Sequence, residues 1–169
     1  MDLSILNNLV GQKLPNLSLK ATDGRDVQLN TLSGRTVLFA YPRTSPKDGS
    51  TVIGWDQIPG AKGCTAQNCG FRDKHQQLLD AGATQVFGLS TQNSDDQAEA
   101  VVRLHLPFHL LSDADHKLHR HFDLPTLEAD GVKLLHRFAA ICVDDAIEHV
   151  VHSLVDTGDY ADVILDLLL

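Results

Sequence analysis

The sequence predicts an α/β fold in which a mixed central sheet is flanked by helices and preceded by a β-hairpin. Three observations carry this expectation. Residues 36–41 (Thr-Val-Leu-Phe-Ala-Tyr) are apolar on both faces and stop at Pro42, as a strand covered on both sides should. From there to residue 122, strand-like runs alternate with segments of helical periodicity, the pattern of a largely parallel core. Farther on, two apolar-rich runs, 132–143 and 146–152, flank Asp144-Asp145 and read as an antiparallel hairpin.

Taken in order, residues 17–20 and 26–29 alternate around Thr22-Asp23-Gly24, a hairpin with a polar turn. The buried strand 36–41 follows. From Cys64 to residue 81, the small or apolar positions Cys64, Phe71, Leu78 and Leu79 recur near helical spacing and Gly82 stands at the end, so a helix with Cys64 in its first turn is expected. Residues 85–90 read as a strand, 94–104 as a helix capped by Ser94, 108–111 as a strand, 116–122 as a short helix and 160–168 as a closing helix. This order resembles a thioredoxin-like fold with an N-terminal extension and an inserted element. With no repeat or linker visible, a single domain over residues 1–169 is expected. The irregular stretch is 43–63, where Pro46, Gly49, Gly54, Pro59, Gly60 and Gly63 surround the only tryptophan, Trp55. Long connections of this kind are usually functional or disordered, and this one delivers the chain directly to Cys64.

A chain of 169 residues that is 43% hydrophobic is large enough to bury a core without disulfide or metal staples. Its formal net charge of −8 disfavours nucleic acid and anionic membranes as partners, since either polyanion would be repelled. Residues 1–8 carry no basic leader, and no apolar run approaches the ~18 residues of a membrane span, so a cytoplasmic site is the expectation. Three cysteines, two of them five positions apart, do not form the even framework of a small secreted domain.

The thiolate, not the thiol, is the nucleophile, and unpaired N–H groups at a helix N-terminus stabilise it. Cys64 occupies such a position, and Gly63 before it permits close approach of a substrate to the backbone. Cys69 lies five residues on, which in an intact helix is about 7.5 Å of rise, beyond the ~7 Å limit for a disulfide. Joining the two thiols therefore requires the helix to open. Two alternatives stand beside catalysis: inert core cysteines, or half of a zinc site, for which no second pair with suitable spacing exists. Cys142 reads as a buried small hydrophobe, the cluster His116, His119 and His121 is not expected to hold a metal, and Pro125 reads as an ordinary loop proline.

Residues 37–42 followed, after an excursion, by Gly63-Cys64-Thr65-Ala66-Gln67-Asn68-Cys69-Gly70-Phe71-Arg72-Asp73 strongly resemble the Q-type peroxiredoxins, also called bacterioferritin co-migratory proteins. In that family the strand ends in Tyr-Pro and the active helix reads Gly-Cys-Thr-x-x-x-Cys-x-x-Arg-Asp. Phe87-Gly88-Leu89-Ser90-Thr91, Leu110-Leu111-Ser112-Asp113-Ala114-Asp115-His116, and His136-Arg137 with Ile147-Glu148-His149-Val150 extend the likeness over most of the chain. The resemblance implies a thioredoxin fold and an antioxidant thiol peroxidase that reduces hydrogen peroxide and organic hydroperoxides. It also implies no cofactor or metal, recycling by thioredoxin or a glutaredoxin-type reductant, and a monomer or weak dimer. Cys64 matches the peroxidatic position, Cys69 the resolving one, Pro42 the motif proline, and Arg137 the arginine that holds the thiolate and polarises the peroxide.

One departure concerns the hydroxyl of the family motif Pro-x-x-x-Thr/Ser-x-x-Cys. Ala61 stands at the hydroxyl position and Gln57 where the proline should be, with Pro42 displaced by roughly fifteen inserted residues. Thr44 is expected to fold back and supply the hydroxyl, with Ser45 as the competing donor. Two other functions compete: a protein thiol-disulfide oxidoreductase, disfavoured by the four-residue spacer, and a non-enzymatic redox sensor in which oxidation reshapes the helix.

Overall fold

The computed structural model describes residues 3–44, 54–58 and 61–169. Its elements are α1 (Ser4–Asn7), β1 (Ser18–Ala21), β2 (Asp26–Gln28), β3 (Arg35–Ala40), α2 (Cys64–Asp80), β4 (Ala83–Ser90), α3 (Ser94–Leu104), β5 (His109–Ser112), α4 (Lys117–Phe122), β6 (Thr126–Ala129), β7 (Val132–Leu135), β8 (Phe138–Val143), β9 (Ala146–Val151) and α5 (Tyr160–Leu168). Seven strands form one sheet in the order β2-β1-β5-β4-β3-β8-β9, and β6 and β7 form a separate hairpin. The pairs β3/β4 and β4/β5 are parallel, joined through α2 and α3 as two crossover units. The other pairs are antiparallel, so the sheet is mixed, as expected.

Alternation along β3 divides the core. Val37 and Phe39, with Tyr41 just beyond, face a cluster that holds Cys64, Phe71 and Leu78 of α2, Ala100 of α3, and Tyr160 and Ile164 of α5. Leu38 and Ala40 face the opposite cluster, which holds Leu118 and Phe122 of α4 and the N-terminal residues Leu6, Leu9 and Leu14. Burial on both faces is why residues 36–41 lack a polar alternation. The heptad Cys64, Phe71, Leu78 places these three residues on the sheet-facing side of α2, and all three are buried. Phe71 stacks on Phe39 with centroids 4.2 Å apart and planes inclined by 6°, while Phe108 meets Phe39 edge-on at 5.5 Å. Gly88 of β4 admits the Phe39 ring, since a Cβ there would lie 2.9 Å from it.

The structure corrects the sequence reading in four places. The run 132–143 is not one strand: it breaks at His136-Arg137, where the chain leaves the β6–β7 hairpin for the main sheet. Its apolarity is continuous because Leu134 is buried in one cluster and Leu135 and Phe138 in another, and periodicity cannot register a change of sheet. Strand β6, directly after Pro125, was not expected; it pairs with β7 through Thr126↔Leu135 to Ala129↔Val132. The short α1 was likewise not expected, being one turn long and carrying one buried residue, Leu6. Finally, α3 is capped by Asn93, whose side chain accepts from the Asp96 N–H at 2.8 Å, while Ser94 is already helical.

Trp55 and Ile58 of the inserted stretch pack with Ala61 against Leu127, Ala129 and Leu134 of the β6–β7 hairpin, forming a third, smaller cluster. The Arg43 guanidinium lies over the Trp55 ring, 5.6 Å from its centroid. Cys142 sits inside β8 in the cluster with Leu38 and Ile147, and burial pushes its thiol up to about 12. At pH 8 Cys142 is then overwhelmingly the neutral thiol. Iodoacetamide should therefore leave Cys142 unmodified in the reduced native protein and label it only in denaturant. Native labelling as fast as that of Cys69, followed by peptide mass spectrometry, would show that β8 opens.

Candidate active site

Cys64 is the first residue of α2 and only 4% exposed. Gly63 precedes it at φ 103°, a left-handed backbone that a side chain would strain, and a Cβ there would strike Thr157. The Gly63 carbonyl accepts the first helical bond, from the Gln67 N–H at 3.0 Å, and a second bond from the Thr157 hydroxyl at 2.7 Å. No side-chain hydrogen bond caps this helix end, where a glycine stands at the cap position.

Arg137 reaches the sulfur from the residue just before β8, on the sheet face that α2 covers. β8 begins at Phe138, which is opposite Ala40, so Arg137 lies just past the carboxyl end of β3, the edge from which α2 also starts. Arg137 is 3% exposed, and its guanidinium donates from Nη2 to Cys64 Sγ at 2.9 Å, from Nε to Gln67 Oε1 at 2.8 Å and from Nη1 to the Lys62 carbonyl at 3.3 Å. Gln67, fully buried one turn after Cys64, donates from Nε2 to the Ala40 carbonyl at 3.3 Å. It thus ties the guanidinium to the end of the central strand. The Cys64 thiol donates to the Ala61 carbonyl at 3.5 Å. That contact exists only for the protonated sulfur, whereas the bond from Arg137 strengthens on ionisation, being charge-assisted.

The remaining expected site residues lie nearby with other partners. Pro42 and Thr44 are buried past the end of β3. The Thr44 backbone and hydroxyl both donate to Gln92 Oε1, at 3.1 and 3.4 Å, and no described hydrogen bond joins Thr44 to Cys64. Ser45, the competing donor, lies outside the described residues. Tyr41 is fully buried with Cys64 in one cluster; burial raises its hydroxyl well above the usual phenol range, and the group faces Ser90 without reaching hydrogen-bond geometry. Cys69 is half-buried, and all three cysteines are free thiols. His136, beside Arg137, is pushed toward its neutral form by burial and by the Arg137 charge. Beyond the guanidinium a cleft of about 480 Å³ opens between Ile58, Lys62, His136, Leu154 and Tyr160.

The Redoxin family model matches residues 9–162. The chain belongs to that family. Within it, this redoxin falls with the Bcp and Q-type peroxiredoxins. It is 34% identical to Peroxiredoxin Bcp of Bacillus subtilis over 68% of this chain and 64% of the relative, and 34% identical to Peroxiredoxin Q, chloroplastic, of Oryza sativa subsp. japonica over 68% of this chain and 46% of that protein. The match thus spans less than two thirds of either relative. Among solved structures, Peroxidoxin BcpB of Mycobacterium tuberculosis superimposes with a TM-score of 0.74 at 24% identity, covering 94% of this chain and 95% of that one. Peroxiredoxin Q of Xanthomonas campestris gives 0.70 at 21% identity over 90% and 89%. The fold is the thioredoxin fold of the peroxiredoxins, as the element order implied. No helix among the described residues is long and apolar enough to cross a membrane.

Sequence reasoning on this redoxin gave Gln67 no role at the site. The available signal was its spacing: three residues after Cys64 is the same helix face, where a buried amide needs partners. Charge-assisted hydrogen bonds of this kind contribute about 1.5–3 kcal/mol. Arg137→Ala should accordingly slow alkylation of Cys64 by iodoacetamide at pH 7 about 10- to 100-fold, and Gln67→Ala a few-fold, with Cys69 unaffected in both. Equal Cys64 rates in parent and Arg137→Ala would remove the guanidinium from the site.

Proposed function

We propose that this peroxiredoxin is a thiol peroxidase that reduces hydrogen peroxide and organic hydroperoxides through Cys64 and is resolved by Cys69. The observation that carries the reading is the 2.9 Å contact of the buried Arg137 guanidinium with Cys64 Sγ at the start of α2. In that position a fixed cation and the helix start stand beside the sulfur, donors that can meet the charge developing on sulfur and peroxide oxygen as the O–O bond breaks.

The Cys64 thiolate attacks one oxygen of the hydroperoxide in line with the O–O bond. The S–O bond forms as the O–O bond breaks, and the leaving alkoxide or hydroxide takes a proton to become alcohol or water. Cys64 is left as a sulfenic acid. The Cys69 thiolate then attacks the Cys64 sulfur, the S–O bond breaks, and water leaves as the disulfide forms. A dithiol reductant of the thioredoxin or glutaredoxin type returns both thiols by exchange. No metal or prosthetic group takes part. In this reading Pro42 and Thr44 wall the site at the end of β3, and Thr44 acts on it through packing, since its hydroxyl is taken by Gln92. Residue 61 brings no hydroxyl, and the segment before α2 contributes backbone carbonyls instead: that of Ala61 meets the sulfur and that of Lys62 meets the arginine. A compartment that keeps thiols reduced, such as the cytoplasm, suits such an enzyme.

Intact mass and thiol count after one equivalent of hydrogen peroxide test the roles. The parent should lose two protons and two thiols, Cys69→Ser should hold one added oxygen trappable by a dimedone-type reagent, and Cys64→Ser should not react on that timescale. Peroxide consumption by Cys64→Ser at the parent's rate would overturn the assignment.

A further inference from the structure

We infer that the turn Thr157–Asp159 is a latch on the first turns of α2, and that Thr157 and Gly158 govern how fast Cys69 reaches the oxidised Cys64. This inference rests on the resolving reaction proposed above and names residues outside it.

The two cysteines are bracketed by two glycines, Gly63 and Gly70, and each is a point of contact with the same short turn. At Gly63 the Thr157 hydroxyl donates to the carbonyl at 2.7 Å, and a Cβ would collide with the Thr157 side chain. At Gly70 the carbonyl of Gly158 lies so close that a Cβ would come within 2.8 Å of it. A glycine inside a helix costs stability against alanine, and here its missing side chain is what lets the turn's backbone reach the helix. The turn is itself held in shape, with the Asp156 carboxylate accepting from the Gly158 N–H at 2.9 Å. It leads directly into α5, whose Tyr160, Ala161 and Ile164 are buried in the cluster that contains Cys64 and Phe71. The latch is therefore anchored in the core, while the helix segment that it holds must open.

That segment also carries a feature favouring opening. Asn68, fully buried between the two cysteines, donates from Nδ2 to the Cys64 carbonyl at 2.9 Å, but its Oδ1 has no partner. A buried oxygen without a donor is costly, and unwinding the helix would return it to water. Two terms thus oppose each other over Cys64–Cys69: the Asn68 amide favours the open form and the Thr157–Gly158 contacts favour the closed one. Their balance sets the fate of the sulfenic acid. In the open form the Cys69 thiolate displaces hydroxide from the Cys64 sulfur and water leaves. In the closed form the sulfenate attacks a second hydroperoxide, an O–O bond breaks as a second S–O bond forms, and sulfinate and alcohol result.

Rapid mixing with peroxide tests this, with oxidation of Cys64 and closure of the disulfide read as separate phases and sulfinic acid read by mass. Thr157→Val keeps the side chain's shape and removes one hydrogen bond; disulfide closure should quicken about fivefold and the sulfinic fraction at high peroxide should fall. Thr157→Ser, which keeps the hydroxyl, should restore the parent's rate. Asn68→Leu should act in the opposite sense and slow closure. Amide hydrogen exchange over residues 64–70 of the reduced protein should follow the same order and requires no turnover. Unchanged or slower closure in Thr157→Val, or exchange that does not respond, would overturn the latch. Absence of a Cys64–Cys69 disulfide in the parent would instead overturn the proposed function.

Discussion

The site depends on one packing contact, the stacking of Phe71 on Phe39. Phe39 lies next to the carboxyl end of the buried strand β3 and Phe71 two turns into α2, so this contact sets both the azimuth and the height of the helix over the sheet. Burying a phenylalanine contributes roughly 1.5–3 kcal/mol and a well-oriented aromatic pair about 0.5–1.5 more. Because Cys64 and Phe71 are seven residues apart, a helix turned to bury one also turns the other inward. The nucleophile is thereby aimed at the end of β3, where Ala40 and Arg137 meet.

Arg137 illustrates how a buried charge is made tolerable. A guanidinium this enclosed carries a large desolvation cost that only well-placed acceptors offset. Two of the acceptors described here, Gln67 Oε1 and the Lys62 carbonyl, are neutral, and the third is the sulfur itself. Each of these acceptors lies within hydrogen-bond distance of a donor nitrogen, so the buried guanidinium is met on three of its edges. Gln67 couples this balance to the backbone of β3, and a shift of α2 relative to the sheet would disturb both partners together.

Much of this architecture could be read from residue patterns, and the exceptions have physical causes. The limits of α2 and α5, the central strand, and the placing of Cys64 at a helix start all followed from periodicity and from the glycines at the boundaries. Arg137 was identified through family wording, since nothing in a strand of mixed residues says that a guanidinium turns inward. The break at residues 136–137 escaped because apolar residues look alike whether they are buried in one sheet or in two. Gln67 and Asn68 escaped because a polar residue on a helix is ordinarily solvent-facing, and only the fold shows that this face is covered. The Asn93 cap was misplaced by one residue, since Asn and Ser stand side by side and both are good caps.

The missing hydroxyl at residue 61 takes its meaning from the third cluster. Ala61 is fully buried, and with Trp55 and Ile58 it rests on Leu127, Ala129 and Leu134 of the β6–β7 hairpin rather than on the main core. A threonine there would bring a hydroxyl into an apolar contact, a costly exchange unless the group found a partner. With alanine, the segment before α2 contributes through its backbone, and the carbonyls of Ala61 and Lys62 reach the sulfur and the guanidinium. Carbonyls have no rotamer of their own; their positions are as good as the packing of the chain that carries them. The geometry around Cys64 is thus tied to a peripheral hairpin, and the departure at residue 61 and the inserted stretch with Trp55 are two sides of one arrangement.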